Sequence, residues 1–370
     1  MPATEVDDLR RVVRDYLSET SSSETVRRLM VTDSGFDATA WRQIARELGL
    51  TGIAVPEKWG GAGAGMAELA VVLEEMGAAL LCSPYFATVV LATQAIVASG
   101  DRSAIERFIP QFLDGSSTGT LILDGRLDAW DPAAVTIRAE PDGAVHRIHG
   151  QAPLVLDGHT ADVVLVAART GAGISLFAAQ GRSEGLRRTE LTTLDRTRKV
   201  ARVEFDGVPA ELIGTDGDAA AYLGRTADEA VVALAAEQVG AAQRCLDMAV
   251  DYAKRRIQFG RAIGSFQAVK HRCADMLVLV EGARSAAMHA AEVAEADELA
   301  IAASVAKMVC SEAFLQLSLD NMRIHGGIGF TWEHDAHLYV RRAKASQLIF
   351  GTPDYHAERL ATLLLMKGQQ

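Results

Sequence analysis

The sequence predicts an α+β multidomain fold, with a helical N-terminal domain over residues 1–116, a middle β-barrel or sandwich over 117–209 and a C-terminal four-helix bundle over 219–370. Three observations predict it. Apolar residues recur at helical spacing in the first and last blocks. Short β-type runs punctuated by Gly and Asp fill the stretch between them. The longest helical segments are joined by short connections, as in an up-and-down bundle.

In the first block, MPATEVDDLRRVVRDYL is acidic and amphipathic, and Asp37 to Leu48 carries apolar residues at helical spacing. The Gly and Pro cluster between Gly49 and Gly63 forces a turn. Helix resumes at Met66–Met76, and an alanine-rich helix is expected from Phe86 to Ala98. In the second block the strand candidates are 118–123, 134–139, 161–168, 173–178 and 200–205, an arrangement that suits a small antiparallel barrel or sandwich. The third block predicts long helices over 227–256, 266–294, 300–323 and 342–366.

Composition narrows the function. Of 370 residues, 49% are apolar and 23% charged, enough for a large core. A net charge of −11, from 37 Lys+Arg against 48 Asp+Glu, argues against nucleic acid or anionic membrane as a partner. A local basic pocket for an anionic ligand remains compatible with it. The N-terminus lacks the apolar core of a signal peptide, and stretches such as 87–96 and 231–236 fall short of a membrane span. A cytoplasmic location is therefore expected. Cys82, Cys245, Cys273 and Cys310 have no metal-ligand spacing and sit in apolar surroundings, so buried free thiols are expected.

The chemistry concentrates in two stretches of the third block. Arg255 to Gln267 reads RRIQFGRAIGSFQ, and Arg323 to Asp335 reads RIHGGIGFTWEHD. A flat anionic cofactor uses such a set. A diphosphate takes an arginine fork, here Arg256, and free backbone N–H groups at a Gly turn, here His325-Gly326-Gly327. Together with Leu48 to Gly63 and the Gly351-Thr352 pair, these stretches resemble the motifs of the acyl-CoA dehydrogenase superfamily, and the helix–β–helix order matches it too. The resemblance implies FAD as cofactor. It places Arg256, Phe259 and Gln267 of one subunit and Gly326 and Gly327 of its partner on the adenine half. Arg323 stands where a glutamine usually opens the His-Gly-Gly motif, and Thr352 falls beside the flavin. It also implies an acyl-CoA substrate, electron-transfer flavoprotein as electron acceptor, and oligomerisation.

The family's reaction is α,β-dehydrogenation of the thioester, in which a carboxylate takes the α-proton. Its usual position, directly before Gly-Thr, is Phe350 here. Some members carry the base on the first long C-terminal helix, at a position that falls on Ala230. Glu229 is its neighbour and Glu237 lies two turns on, although one helical step turns a side chain by about 100°. Glu229 is the one candidate for a displaced base. For both carboxylates the plainer expectation is structural: a solvated helix-face charge for Glu229, and an ion pair with a nearby Arg or Lys for Glu237.

Other departures follow the same line. Thr120 to Trp130 lacks the family's Thr-Glu-Pro and Gly-Ser-Asp turn, and Gly150 to Gly158 lacks its Lys-Trp pair. The adenine-side grip is kept and the flavin-ring and base half is eroded. This split resembles one chain of the heteromeric actinobacterial dehydrogenases of steroid side-chain breakdown, the chain without the catalytic Glu, and the wording Trp332 to Tyr339 fits that branch. Three functions are thus expected in order. The first is the grip-supplying subunit of a heterotetramer with a second chain of the family. The second is a self-sufficient homotetramer using Glu229, and the third a non-catalytic structural subunit. His325, His334 and His337 lack Cys or carboxylate companions at ligand spacing, so no metal is expected. Gly60 to Gly65 lacks a P-loop lysine and reads as a turn.

Overall fold

The computed structural model describes residues 3–123 and 129–367. Helices α1 (Ala3–Thr20), α2 (Ser23–Leu29), α3 (Ala38–Arg46) and α4 (Met66–Ala78) come first. A π-helical segment (Phe86–Thr93) leads into α5 (Gln94–Ser99) and α6 (Arg102–Leu113). Seven strands follow: β1 (Gly119–Ile122), β2 (Arg138–Asp142), β3 (Val145–Leu156), β4 (Val163–Arg169), β5 (Ile174–Gln180), β6 (Leu186–Glu190) and β7 (Val200–Ile213). The chain ends with α7 (Ala219–Arg255), the hairpin β8 (Ile257–Gln258) and β9 (Arg261–Ala262), then α8 (Gln267–Glu292), α9 (Leu299–His325), α10 (Ala336–Leu348) and α11 (Pro353–Lys367). It divides into two compact units: Arg27–Glu68 with Cys82–Ala230, and Met1–Val26 with Leu69–Leu81 and Val231–Gln370.

The first of these units holds the sheet. Strands β4-β2-β3-β7-β5 close on themselves because β5 also pairs with β4, and β1 and β6 hang on β4 and β7. Inward side chains such as Ile148, Val164, Val166, Phe177, Val203 and Phe205 fill the ring. The expected antiparallel barrel is in fact mixed. β1 runs parallel to β4, as β2 does at Arg138. Strand pairing of this kind is non-local and leaves no mark in a single strand's pattern. The strand expected over 134–139 starts only at Arg138, because Asp131 caps a 3-10 turn at Pro132–Ala134. Asp37 and Asp101 cap α3 and α6 through their side chains. In the Gly-rich turn, a Cβ at Gly61 would fall on the Val55 carbonyl, so that glycine is required.

The alanine-rich helix expected from Phe86 opens instead as eight π-helical residues, all buried. Packing against β1 overrides propensity there. Thr88 Oγ1 donates to the Gly119 carbonyl at 3.2 Å and accepts its N–H at 3.1 Å. A side chain at Gly119 would strike Ala92 and Phe112.

The second unit is helical. α4 and α7 cross backbone to backbone, since a Cβ at Gly77 would meet the Glu237 carbonyl and one at Gly240 the Glu74 carbonyl. Arg10 reaches Glu74 and Glu75 at 2.7 and 2.9 Å, Arg14 reaches Glu75, and Arg284 pairs with Glu74. Glu237 and Arg342 form a buried ion pair at 2.6 Å. The helix expected over 342–366 is two helices, α10 and α11. Phe350 and Gly351 both adopt positive φ, 60° and 93°, and Pro353 opens α11, where its missing N–H is no loss. Among the described residues one helical stretch, Leu299–Phe330, is long and apolar enough to cross a membrane, longer than any stretch noted from the sequence, and more than half of its apolar window is buried inside the protein. None of the four cysteines is in a disulfide, but only Cys82, Cys245 and Cys310 are buried, while Cys273 is half-buried. Burial pushes the Cys310 thiol up to about 12.

Candidate functional site

The first motif begins where α7 ends. The Arg256 N–H still bonds the Tyr252 carbonyl at 2.8 Å, and the chain then turns into the β8–β9 hairpin. Its two-residue turn is Phe259-Gly260, with φ of 51° and 77°. That is the left-handed pair a tight hairpin requires. The turn holds Phe259 out in solvent, 91% exposed. Its ring meets Phe266 edge to face at 6.2 Å, and the Arg261 guanidinium lies 4.1 Å from the Phe266 ring centre. Arg256 and Gln267 are exposed as well. Neither aromatic is buried in a core. They form an outward-facing platform flanked by guanidinium groups, suited to a flat anionic partner.

The second motif caps α9. Gly326 takes φ 64° and ψ −140°, a conformation open only to glycine. Gly327 is different. It has an ordinary φ, and a Cβ there would meet nothing within 4 Å. Among the described residues nothing requires a glycine at 327, which leaves a bare backbone open to approach. Behind the turn, a ring nitrogen of the buried His325, Nδ1, donates to the Asn321 carbonyl at 2.9 Å. Its ring lies 4.3 Å from Tyr252 and 4.1 Å from His334, and burial holds its pKa below the ordinary histidine value. Because Tyr252 is one turn before Arg256, this contact joins the two motifs at one end of the unit. Arg323 sits there too, bonded to Asp320 at 2.9 Å.

Thr352 lies elsewhere. It starts α11, accepting the Tyr355 N–H on Oγ1 at 3.2 Å, and the His356 ring bonds the Phe350 carbonyl at 2.8 Å. Helices α10 and α11 lean on the first half of α9, through Lys307 to the Ser346 carbonyl and Arg359 to Ser304. About 27 Å of helix separates Lys307 from His325. Within a single chain the structure therefore brings Arg256, Phe259, Gln267, Arg323, Gly326 and Gly327 to one end of the helical unit, where the resemblance divides them between a subunit and its partner, and it sets Thr352 apart from them.

The base positions are closed. Phe350 is 3% exposed, and Ala230 is fully buried. Glu229 belongs to the other unit, where it is half-buried rather than the solvated charge expected, and Arg225 binds it at 3.1 Å across one helical turn. Glu237 is committed to Arg342. Of the eroded turn between Thr120 and Trp130, residues 124–128 lie outside the described residues. Sequence reasoning missed Tyr252 and Arg261, both within or one turn from the first motif. It also missed Asp320 and Arg272, of which only the three-residue spacing of Asp320 and Arg323 was readable.

The arrangement fits the ADP half of FAD: exposed rings for adenine, guanidinium groups for phosphate, and an unobstructed Gly-Gly backbone. It offers no carboxylate for proton abstraction at Phe350 or Ala230. Comparison with known proteins agrees with the fold. Residues 3–116 match the acyl-CoA dehydrogenase N-terminal domain family and residues 222–365 its C-terminal domain family. The chain is 34% identical over 361 residues to the acyl-CoA dehydrogenase IpdE2 of Mycobacterium tuberculosis, covering 97% of both. Among solved structures it resembles a variant of the Tcur3481-Tcur3483 steroid ACAD, with TM-score 0.89 and 31% identity over 100% of both chains. It also resembles the ChsE4-ChsE5 complex of Mycobacterium tuberculosis, with TM-score 0.88 and 28% identity, covering 99% of this chain and 98% of that one. This chain belongs to the acyl-CoA dehydrogenase family of FAD-dependent oxidoreductases.

Proposed function

We propose that this chain is the grip-supplying subunit of a heteromeric acyl-CoA dehydrogenase, completed by a second chain of the family that carries the catalytic carboxylate. One observation carries the reading. Both base positions, Phe350 and Ala230, are buried and apolar, while the cofactor-side motif stands intact in solvent. Arg256, Phe259, Gln267, Arg323, Gly326 and Gly327 hold the adenine and diphosphate end, and Thr352 serves at the ring end. FAD held by these residues would supply the acceptor for the hydride equivalent lost from the acyl chain, with electron-transfer flavoprotein as the onward acceptor. The proton on the α-carbon goes to the partner's carboxylate. The exposed Ile257, Phe330 and Trp332 beside these motifs give the partner an apolar surface to cover. Two of the similar structures support the partner and the substrate: one is a complex of two chains, the other a steroid acyl-CoA dehydrogenase. A steroid-derived acyl-CoA is the substrate class we assign.

The test is flavin absorbance of the chain purified alone and co-expressed with its candidate partner, followed during addition of a short acyl-CoA and a steroid side-chain CoA. The expected protein is colourless alone, and yellow and bleached by substrate with the partner, with flavin lost on Arg256→Ala. Flavin that binds and bleaches in the chain alone overturns the shared site and assigns the base to Glu229 if Glu229→Gln then stops bleaching. No flavin in either preparation leaves a structural subunit.

A further inference from the structure

We infer that Asp320 is a positioning residue that holds Arg272 and Arg323 as a two-guanidinium clamp for the diphosphate of FAD, an inference that rests on the cofactor reading above. Asp320 lies on α9, six residues before the Gly326-Gly327 turn, and is buried. Its Oδ1 accepts from Arg323 Nη1 at 2.9 Å and from Arg272 Nη1 on α8, while Oδ2 accepts from Gln316 Nε2 at 2.7 Å. Burial alone raises a carboxyl pKa. Here the hydrogen bonds from Gln316, Arg323 and Arg272 outweigh it and hold Asp320 below the ordinary carboxylate value. The carboxylate is thus a fixed, charged anchor.

The two guanidinium groups are not used up by it. Their side chains are 42% and 55% exposed, and each gives Asp320 a single nitrogen. A guanidinium has five N–H donors, so most of them remain for a ligand. Two cations against one anion leave a net positive charge at this spot. Its place is the end of the unit that carries the cofactor motif. Arg323 is three residues before Gly326, and Arg272 is five residues beyond Gln267. Planar guanidinium forks match phosphate oxygens in pairs. A free surface arginine loses much side-chain entropy on binding, and one already pinned by a buried carboxylate loses less. A lone structural ion pair needs one arginine; the second one and the exposure of both are what a dianionic ligand uses. Acyl-CoA also carries a diphosphate, so the test separates the two sources.

The experiment uses the chain with its partner, stripped of flavin and retitrated with FAD at low and high KCl while flavin fluorescence quenching is read. Acyl-CoA KM is measured on the FAD-saturated enzyme, and Tm on each variant. Arg272→Gln and Arg323→Ala are each expected to raise the FAD Kd about tenfold at low salt and to flatten its salt dependence. Asp320→Asn is expected to raise the Kd several-fold, and Asp320→Glu to recover part of the loss. Arg102→Gln, an exposed i,i+4 pair with Glu106, serves as the control without effect. If the arginine variants keep Kd and salt slope within about twofold while Arg256→Ala loses flavin, the clamp is wrong and the cofactor reading stands. A lower Tm with unchanged Kd reduces Asp320 to a structural role. A raised acyl-CoA KM with unchanged FAD Kd gives the clamp to the substrate. A wild-type complex that takes up no FAD sinks both readings.

Discussion

The substitution Glu237→Gln separates a structural carboxylate from a catalytic one. Glu237 and Arg342 approach to 2.6 Å with side chains 8% and 4% exposed. Removing one partner of such a pair leaves the other charge buried, which costs about 3–5 kcal/mol. Domains of about 150–250 residues shift by about 2–4 °C in Tm per kcal/mol. Glu237→Gln should therefore lower Tm by about 6–20 °C, and Arg342→Met by a similar amount. Glu237→Leu with Arg342→Met removes both charges and should recover most of the loss, because an apolar replacement of a buried pair is often neutral. The assay is a thermal scan of the three variants at fixed FAD and partner concentrations, since both ligands raise apparent stability. Turnover is then measured well below the lowest Tm. If Glu237→Gln keeps the wild-type Tm yet abolishes turnover, the structural assignment is wrong and Glu237 acts on the substrate.

Three further outcomes follow from the geometry. Glu229→Gln loses one partly exposed i,i+4 pair, worth about 0.3–0.5 kcal/mol, so turnover of the assembled enzyme should stay within about twofold. A loss above about a hundredfold at unchanged Tm would instead make Glu229 the base. Gly240→Ala drives a methyl into the Glu74 carbonyl across the α4–α7 crossing and should cost at least about 3 kcal/mol, whereas Gly282→Ala on α8, with nothing within 4 Å, should gain about 0.5–1 kcal/mol. Denaturation curves of both variants check this, and equal effects would rule out the close crossing. Asp320 has a folded pKa below its unfolded one, near 3.9. Its contribution is fully present above that unfolded value and lost as pH falls through the folded one, so Asp320→Asn should flatten the acid limb of stability below about pH 4 and leave the slope near pH 7 unchanged.

The long helices α7, α8 and α9 were legible because a 3.6-residue period sustained over so many turns fits a helix and no strand or loop. The π-helical opening at Phe86 was not. All eight of its residues are buried, so no polar face marks a period, and its geometry is set by Thr88 bonding to Gly119 of a strand formed later in the chain. The break at Phe350-Gly351 was readable in part, through Gly351 and Pro353, but the apolar residues on either side continue one period. The parallel pairing of β1 with β4 joins segments some forty residues apart and lies beyond any local pattern.

At the site the same division holds. The outward placement of Arg256 and Phe259 was legible because aromatic and glycine residues beside paired arginines make poor core and poor linker. The Arg272–Asp320–Arg323 cluster joins two helices across 48 residues and shows only in three dimensions. Phe350 adds the physical reason the two halves of the motif set can part. On the reading proposed above, the adenine-side grip acts through exposed backbone and planar groups, and its one buried carboxylate, Asp320, is compensated by Gln316, Arg323 and Arg272. The base position is 3% exposed and sits at φ 60°. A carboxylate there is stable only with compensating partners, since burial raises its pKa and penalises its charge. A buried phenylalanine meets no such penalty, although a bulky residue at positive φ carries about 1–3 kcal/mol of strain. If the proposed partner supplies the base, this turn is freed from proton transfer and favours the apolar ring, while the exposed grip is under no such pressure.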